Sequence, residues 1–579
     1  MQFCEFGRRS IGERKGLIGA LMLVAALLLA SCASRPEIRD PRVFDRDVAA
    51  EFFSAAFEGI YAFHIDPPDI PHLALKGMNA ISELDGDFKV QLTEGRLRVT
   101  MADSILGEFK APERNDIPRW SMLTTAAIDL ARGSSKAVRN ADPETLYRLI
   151  VQTAVSELDR FSRYAGAEAA RRNRAQRQGY TGIGVTLRQA GQRIVLSAVF
   201  ENSPASDAGV RTGDVLSEVD GQPIHGLAIV DVSQLIRGSE GETVSIGVIR
   251  DKRLKHFSIQ RARVIEQTVF YRRHGNVARF LVTAFNVHTA SAMRDKISQA
   301  TRDIGKSIKG LIVDLRGNRG GIFKDAVAIS DLLITEGDIL TTKGRHPKAV
   351  NHFEAQADDV SDGLPVVVLI DKSSASASEI VAAALQDASR AVLIGGRTYG
   401  KGSVQTIVSL PNGGELYVTW TKMYTPTGYP ISRFGVYPVI CTNELTGGAA
   451  AVIEALEAET MAPPTHLVLR HDANYLTHTQ QEALLRSCAT RAIREESGDG
   501  NGDLDLKLAQ NLLSRPELHT RLLAISKSAR IGRSSQTSSS KPPTPSRASS
   551  LDLMGANGIF RKIQSLANED RTWQSRPPS

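Results

Sequence analysis

Pro365-Val366-Val367-Val368-Leu369-Ile370-Asp371-Lys372-Ser373-Ser374-Ala375-Ser376-Ala377-Ser378-Glu379-Ile380 runs from an unbroken apolar segment into a serine-rich turn and then into a helical pattern. Six apolar-flanked residues ending at Ile370 read as a strand buried on both faces, and the pattern after Ser376 reads as a helix. A serine at that junction lies beside backbone N–H groups that have no partner inside the helix, so an oxyanion forming there meets donors already in place. Ser376-Ala377-Ser378-Glu379 also spells a capping box, which is the purely structural reading of the same four residues. Four serines crowd the turn, and their chemistry alone does not separate Ser376 from Ser373, Ser374 and Ser378.

Downstream, Ala391-Val392-Leu393-Ile394-Gly395 is a second buried-strand pattern, and Gly400-Lys401-Gly402-Ser403-Val404-Gln405 follows it. A solvated lysine is protonated at neutral pH. Desolvation in a closed site can lower its pKa by about three units, roughly 4 kcal/mol, enough to make it a base. Gly400 and Gly402 allow a tight backbone on either side of Lys401.

Together these segments resemble the carboxyl-terminal processing (tail-specific) protease family, in which a serine and a lysine form the catalytic dyad. The resemblance implies Ser376 as nucleophile, Lys401 as general base (401 − 376 = 25 residues apart), and Gln405 as the residue that orients the lysine. Asp387 matches a supporting aspartate, although Gln386-Asp387 also reads as a helix end. Leu311-Ile312-Val313-Asp314-Leu315-Arg316-Gly317-Asn318-Arg319-Gly320-Gly321 resembles the family's glycine-rich loop, implying an oxyanion hole from Gly320 or Gly321 with Ala377; a strand-end turn is the plain alternative. No Gly-x-Ser-x-Gly elbow is present, and none of the 12 histidines sits in a motif that points to Ser376.

Tyr180-Thr181-Gly182-Ile183-Gly184-Val185, with the Asn202 to Gly221 segment, closely resembles a PDZ domain. The match implies that Gly182, Ile183, Gly184 and Val185 form the turn that receives a peptide's terminal carboxylate, beside a helix beginning near Asp231. Leu158-Asp159-Arg160-Phe161-Ser162-Arg163-Tyr164 resembles a further family segment but carries Arg160-Phe161 where the family has Pro-His, which leaves the role of that turn open. Likewise, Gly435-Val436-Tyr437-Pro438-Val439 lacks the family's aspartate.

The ends read differently. Arg8, Arg9, Arg14 and Lys15 precede an apolar run from Gly16 to Ala30, the pattern of an export signal, and Leu29-Ala30-Ser31-Cys32 resembles a bacterial lipobox with Cys32 lipidated; an ordinary signal peptide is the alternative. Ala33 after that cysteine resembles outer-membrane sorting, giving a periplasmic, membrane-anchored enzyme as the expectation. Of four cysteines, Cys4 leaves with the signal and Cys32 is consumed, so Cys441 and Cys488 are expected to form a disulfide in an oxidising compartment, against two separately buried thiols. The +7 net charge falls to +5 without residues 1–31, which carry four basic and two acidic residues; that is too mild for a nucleic-acid partner. Asp499-Gly500-Asn501-Gly502-Asp503-Leu504-Asp505 alternates oxygen side chains but lacks the glycine and closing glutamate of a calcium loop, and reads as a turn.

The expected fold is a multidomain α/β chain. Its divisions are a signal (1–31), an N-terminal helical domain (43–177), an inserted PDZ domain (178–264), a layered crotonase/Clp-like protease core (265–441), a helical extension (442–530) and a mostly disordered, Ser/Thr/Pro-rich tail (531–579). The expected activity is endoproteolysis at protein C-termini through an acyl-enzyme, with no metal or organic cofactor and with an adaptor protein left open as a further partner. A non-catalytic PDZ scaffold and a crotonase-like acyl-CoA enzyme are the rival readings.

Overall fold

The computed structural model describes residues 44–531 except 357, 446, 459–466, 468–475 and 489–502. The expected export signal and Cys32 lipobox, part of the Asp499 to Asp505 stretch and the Ser/Thr/Pro-rich tail lie outside the described residues. Among those described, no helix is long and apolar enough to cross a membrane.

Six strands form the central sheet in chain order: Val269–His274, Val277–Val282, Gly310–Asp314, Val366–Ile370, Ala391–Gly395 and Ile440–Cys441. The first pair is antiparallel and the rest are parallel. Every residue of Gly310–Asp314, Val366–Ile370 and Ala391–Gly395 is buried, which explains their unbroken apolar character: helices must cover both faces of a parallel sheet. Side chains alternate between two cores. Val366, Val368 and Ile370 face the helices Thr289–Ile304, Phe323–Asp331 and Ala377–Asp387, whereas Val367 and Leu369 face Leu508, Leu512 and Leu513 of the helix Leu504–Leu513.

Residues beyond 441, expected as a helical extension, supply the cover for one face of the central sheet. Gly310 marks the closeness of the fit, since a Cβ there would lie 2.6 Å from Leu513 Cδ2. Cys441 and Cys488 are disulfide-bonded within this layer.

A second sheet runs Asn351–Glu354, Asp338–Gly344, Glu415–Tyr424, Ser403–Ser409, and the strand Arg163–Ala165 pairs with Glu415–Tyr424. The N-terminal region is thus continuous with the core; Phe52, Phe57 and Ile150 pack against Leu416 and Val418. That region is also not helical throughout, because Phe88–Thr93, Arg96–Met101 and Ser104–Lys110 form an antiparallel meander. Their alternation is short and only one face is buried, a weak signal among strong helical periods.

The segment expected to be a PDZ domain has a sheet ordered Arg253–Gln260, Thr243–Arg250, Val215–Val219, Arg193–Val199, Val185–Ala190. Val185–Ala190 is therefore an open edge, next to the helix Ile229–Ile236.

Candidate active site

Ser376 is the N-cap of the helix Ala377–Asp387, at φ 57° and ψ −110°. Such a backbone costs a non-glycine residue on the order of 1–3 kcal/mol and persists only where surroundings enforce it. The enforcement is visible. The Asp371 carboxylate accepts from the Ser373 and Ser374 amides at 2.9 Å, and from Gly317 N–H at 3.1 Å. Ala375 N–H donates to Asn318 O at 3.0 Å.

The same contacts separate the serines. Ser374 is buried and donates to Leu315 O, and Ser378 is buried and donates to Asn318 O, each at 2.9 Å. Ser373 lies in the turn itself, away from the helix start. Ser376 remains partly accessible at the strained corner.

Glu379, one turn into the helix and fully buried, joins the two halves of the site. Its Oε2 accepts from Ser376 N–H at 2.7 Å and Lys401 N–H at 2.9 Å; Oε1 accepts from Thr398 Oγ1 at 2.6 Å and Gly400 N–H at 2.7 Å. The backbones of Ser376 and Lys401 thus hang from one carboxylate oxygen. Burial pushes the Glu379 carboxyl up, against the lowering effect of its four donors. Read from sequence, Glu379 only closed a capping box; its bonds to residues 19 to 22 positions away have no local signature.

Lys401 is half-buried. Burial lowers its pKa, and the Arg163 guanidinium lowers it further, against the pull of Glu379 and Asp159. Its Nζ sits 5.6 Å from the centroid of the Phe161 ring, with no hydrogen bond to Ser376 Oγ in this conformation. Gly402 fixes the strand's approach: a Cβ there would fall 2.0 Å from Ser432 N.

Phe161 is delivered by the turn whose role the sequence left open. Burial disfavours the charged Asp159, but His64, Ser162 Oγ and the Phe161 and Ser162 amides outweigh it and hold this carboxyl well below the usual range. Asp159 Oδ1 also accepts from Thr419 Oγ1 at 2.9 Å. Gln405, expected to orient Lys401, is bonded in this conformation to the same network: its Nε2 donates to Ser403 Oγ at 3.0 Å and Thr419 Oγ1 at 3.4 Å. A register shift between Val404 and Gln405 accompanies that placement, which four-residue spacing cannot foretell.

On the opposite wall, the loop after Gly310–Asp314 brings Gly320 against the serine corner, with Gly320 at φ +97°. A Cβ there would meet Ala375 O at 2.7 Å, Ser376 Cβ at 2.9 Å and Ala377 N at 3.0 Å. Gly320 N–H already donates to Asn318 Oδ1 at 2.8 Å, so of the two glycines Gly321 is the better donor candidate. Phe285 N–H bonds Gly320 O and Ile322 N–H bonds Phe285 O, which leaves the Gly321 N–H out of that bridge. As the first helical residue, Ala377 also keeps its N–H outside the helix's own bonding. Asp387 ends the helix, where its Oδ2 accepts from Thr427 Oγ1 at 2.8 Å.

At the other site, Ile183 O and Gly184 O accept from Ala205 N–H and Phe200 N–H at 2.8 and 2.9 Å. The turn is pinned by its carbonyls. Gly182, Ile183, Gly184 and Val185 line a pocket with Leu187 and Ile236, and Tyr180 and Arg237 stand at it 5.1 Å apart, ring centroid to guanidinium. Arg237, a cation at a pocket of amide groups, went unnoticed in the sequence because it follows the flanking helix with no motif of its own.

An exposed trio, Asp338, His352 and Glu354, has metal-ligand atoms within 4.8 Å of one another, far along the second sheet's edge; its histidine already bonds both carboxylates.

Comparison with known proteins gives the family. The model of peptidase family S41 matches residues 276–441, and that of the PDZ domain matches residues 181–260. The carboxy-terminal-processing protease of Bartonella bacilliformis is 34% identical over 351 residues, spanning 60% of this chain and 79% of that protein. A Staphylococcus aureus protein named "Probable CtpA-like serine protease" is 29% identical over 309 residues, 53% of this chain and 62% of that one. Among solved structures, the photosystem II D1 C-terminal processing protease aligns over 64% of this chain and 93% of its own, at 23% identity and a TM-score of 0.32. On the strength of its match to the Bartonella protein, together with the two family models, the chain belongs to peptidase family S41 and is a carboxy-terminal-processing serine protease with a PDZ domain.

Proposed function

We propose that the chain is a lipid-anchored periplasmic endopeptidase that captures protein C-termini in its PDZ groove and cleaves by a Ser376/Lys401 acyl-enzyme mechanism. The observation that carries this reading is the shared Glu379 oxygen, which fixes the serine and lysine backbones side by side at a helix start. Neutral Lys401 takes the proton of Ser376 Oγ as that oxygen attacks the scissile carbonyl. The tetrahedral oxyanion is held by the N–H groups of Ala377 and Gly321. Protonated Lys401 then gives its proton to the leaving amine, and water hydrolyses the ester by the reverse sequence. To begin, Lys401 Nζ must swing from the Phe161 face to Ser376 Oγ, so the conformation described is a resting one.

In the groove, an extended tail adds to the Val185–Ala190 edge, its terminal carboxylate meeting the Ile183 and Gly184 amides and the Arg237 charge. Asp387 supports the fold and Gln405 acts through the Thr419–Asp159 network. Cys32 carries the anchor. Acyl chains on Cys32 should be detected by lipid labelling of the cell-made protein and lost in Cys32→Ser, with the protein released from the membrane fraction; a membrane fraction unchanged by that variant overturns the anchor.

An unfolded reporter with an apolar C-terminus tests the activity. Wild-type chain should cut it, amidation of the reporter's terminus should raise KM about tenfold or more through loss of the charged contact, and Ser376→Ala should hold it uncut. Turnover by Ser376→Ala would overturn the reading.

Gly320→Ala forces a methyl into the serine corner at a backbone angle that alanine resists. We expect turnover to fall about a hundredfold, the scale of a lost oxyanion donor, and stability to fall by about 1–3 kcal/mol, measured by kcat on the reporter and by denaturant unfolding.

A further inference from the structure

The Asp499 to Asp505 stretch, unused by the chemistry, ends in two carboxylates that reach the catalytic loop. Arg316 lies in that loop, four residues before Gly320. One edge of its guanidinium is held by Asp314, with Nε to Oδ1 at 2.9 Å and Nη2 to Oδ2 at 2.8 Å. Its end is held by Asp503, with Nη1 to Oδ1 at 2.6 Å and Nη2 to Oδ2 at 2.7 Å; Asp505 Oδ2 accepts from Nη1 at 3.2 Å. Arg279 adds two donors to Asp314 Oδ2, at 2.6 and 3.1 Å. A fork bound on two sides by paired bonds has little freedom to rotate or slide.

We propose that Asp503 and Asp505 are positioning residues for the oxyanion-hole loop, acting through Arg316. Three features support a role beyond packing. First, the two aspartates lie outside residues 276–441, at the N-cap and in the first turn of the helix that covers the sheet, so the clamp ties a C-terminal segment to the site's own loop. Second, the loop's backbone is held on both sides of residue 316, by Leu315 N–H to Leu369 O at 3.0 Å and by Gly317 N–H to Asp371, while Asn318 Nδ2 donates to Val282 O at 2.8 Å. Arg316 adds a side-chain anchor between those backbone bonds. Third, Gly320 approaches Ser376 and Ala377 so closely that a shift of a few tenths of an ångström at residue 316 has no slack to absorb it. A displaced loop would leave the Gly321 amide misaimed at the oxyanion while substrate capture, at the PDZ groove, stays the same.

The clamp rests on the oxyanion-hole reading above, and the experiment separates the two. In the full chain, Asp503→Asn with Asp505→Asn removes both charges, yet asparagine still caps the helix as Asp503 now does through the Leu506 amide. Reporter kcat should fall about tenfold with KM within about twofold of wild type, and a chain with glutamate at both positions should recover most of it. Arg316→Lys, which keeps charge but loses the fork, should show the same kcat loss and decides the matter if the double variant does not fold. An unchanged kcat per folded molecule in these variants, with Ser376→Ala inactive, overturns the clamp alone. Activity in Ser376→Ala overturns the site reading and the clamp with it.

Discussion

Lys401→Ala is expected to lower kcat by about 10⁴-fold while leaving the fold and tail binding intact, the scale on which removal of one member of a catalytic unit disables the whole. Lys401→Arg is the sharper variant. Arginine keeps a cation against the Phe161 ring but cannot surrender its proton in the working pH range, so it should be as inactive as alanine. The pH dependence follows from the direction of the shift. Burial first, and then Arg163, bring the Lys401 pKa below its ordinary 10.5. In the proposed mechanism acylation needs the neutral amine, so kcat/KM should rise with pH until it passes the lowered pKa and then level off. Between that pKa and 10.5 the unfolded chain binds the extra proton, so this group makes stability rise with pH across the same window. Arg163→Gln removes one of the lowering influences, and the kinetic midpoint should move up. Pre-steady-state acylation measured across pH reports both effects; a flat profile, or full activity in Lys401→Arg, would exclude the lysine as base.

Glu379→Ala should cost nearly as much by another route. The substitution orphans the Thr398 hydroxyl and the amides of Ser376, Gly400 and Lys401 around a fully buried position, and leaves a cavity where the side chain stood. Each unmade buried bond costs about 1–3 kcal/mol, so a loss of several kcal/mol in stability is expected, with activity falling about a hundredfold or more in whatever remains folded. Glu379→Gln distinguishes charge from connectivity. The amide oxygen can replace one carboxylate oxygen and its NH₂ group meets donors at the other, so two of the four bonds are lost and a repulsive contact replaces them. The glutamine variant should therefore fall between alanine and wild type in both unfolding midpoint and kcat. If alanine at 379 unfolds at the wild-type denaturant midpoint, the carboxylate is not what holds the two backbones together.

The structure also assigns parts to residues that look like departures from the family pattern. Phe161 offers Lys401 an apolar face that no polar side chain would give, and Arg160 stacks on its other neighbourhood, 4.6 Å from the ring centroid and 5.8 Å from that of Tyr399. An ammonium resting on an aromatic face is stabilised in its charged form, whereas burial favours the neutral one, so the resting lysine sits between opposing influences.

The sequence by itself determined what is written in contiguous residues. Buried strands show as unbroken apolar runs because both faces of a parallel sheet are covered; the serine stands at a helix start because strand and helix patterns meet there; and Gly182 and Gly184, with Gly184 at φ 84°, mark a turn whose backbone favours glycine. What tertiary structure decided is everything set by distant pairings. Which of four serines is free depends on carbonyls of Leu315 and Asn318, 59 and 60 residues away, that occupy Ser374 and Ser378. Gln405 meets Thr419 beside a register shift, and the helix beyond Cys441 covers one face of the sheet, where Val367 and Leu369 meet apolar partners that no local pattern names. Local periodicity records which way a side chain faces along its own element; it carries no record of what waits on the other side.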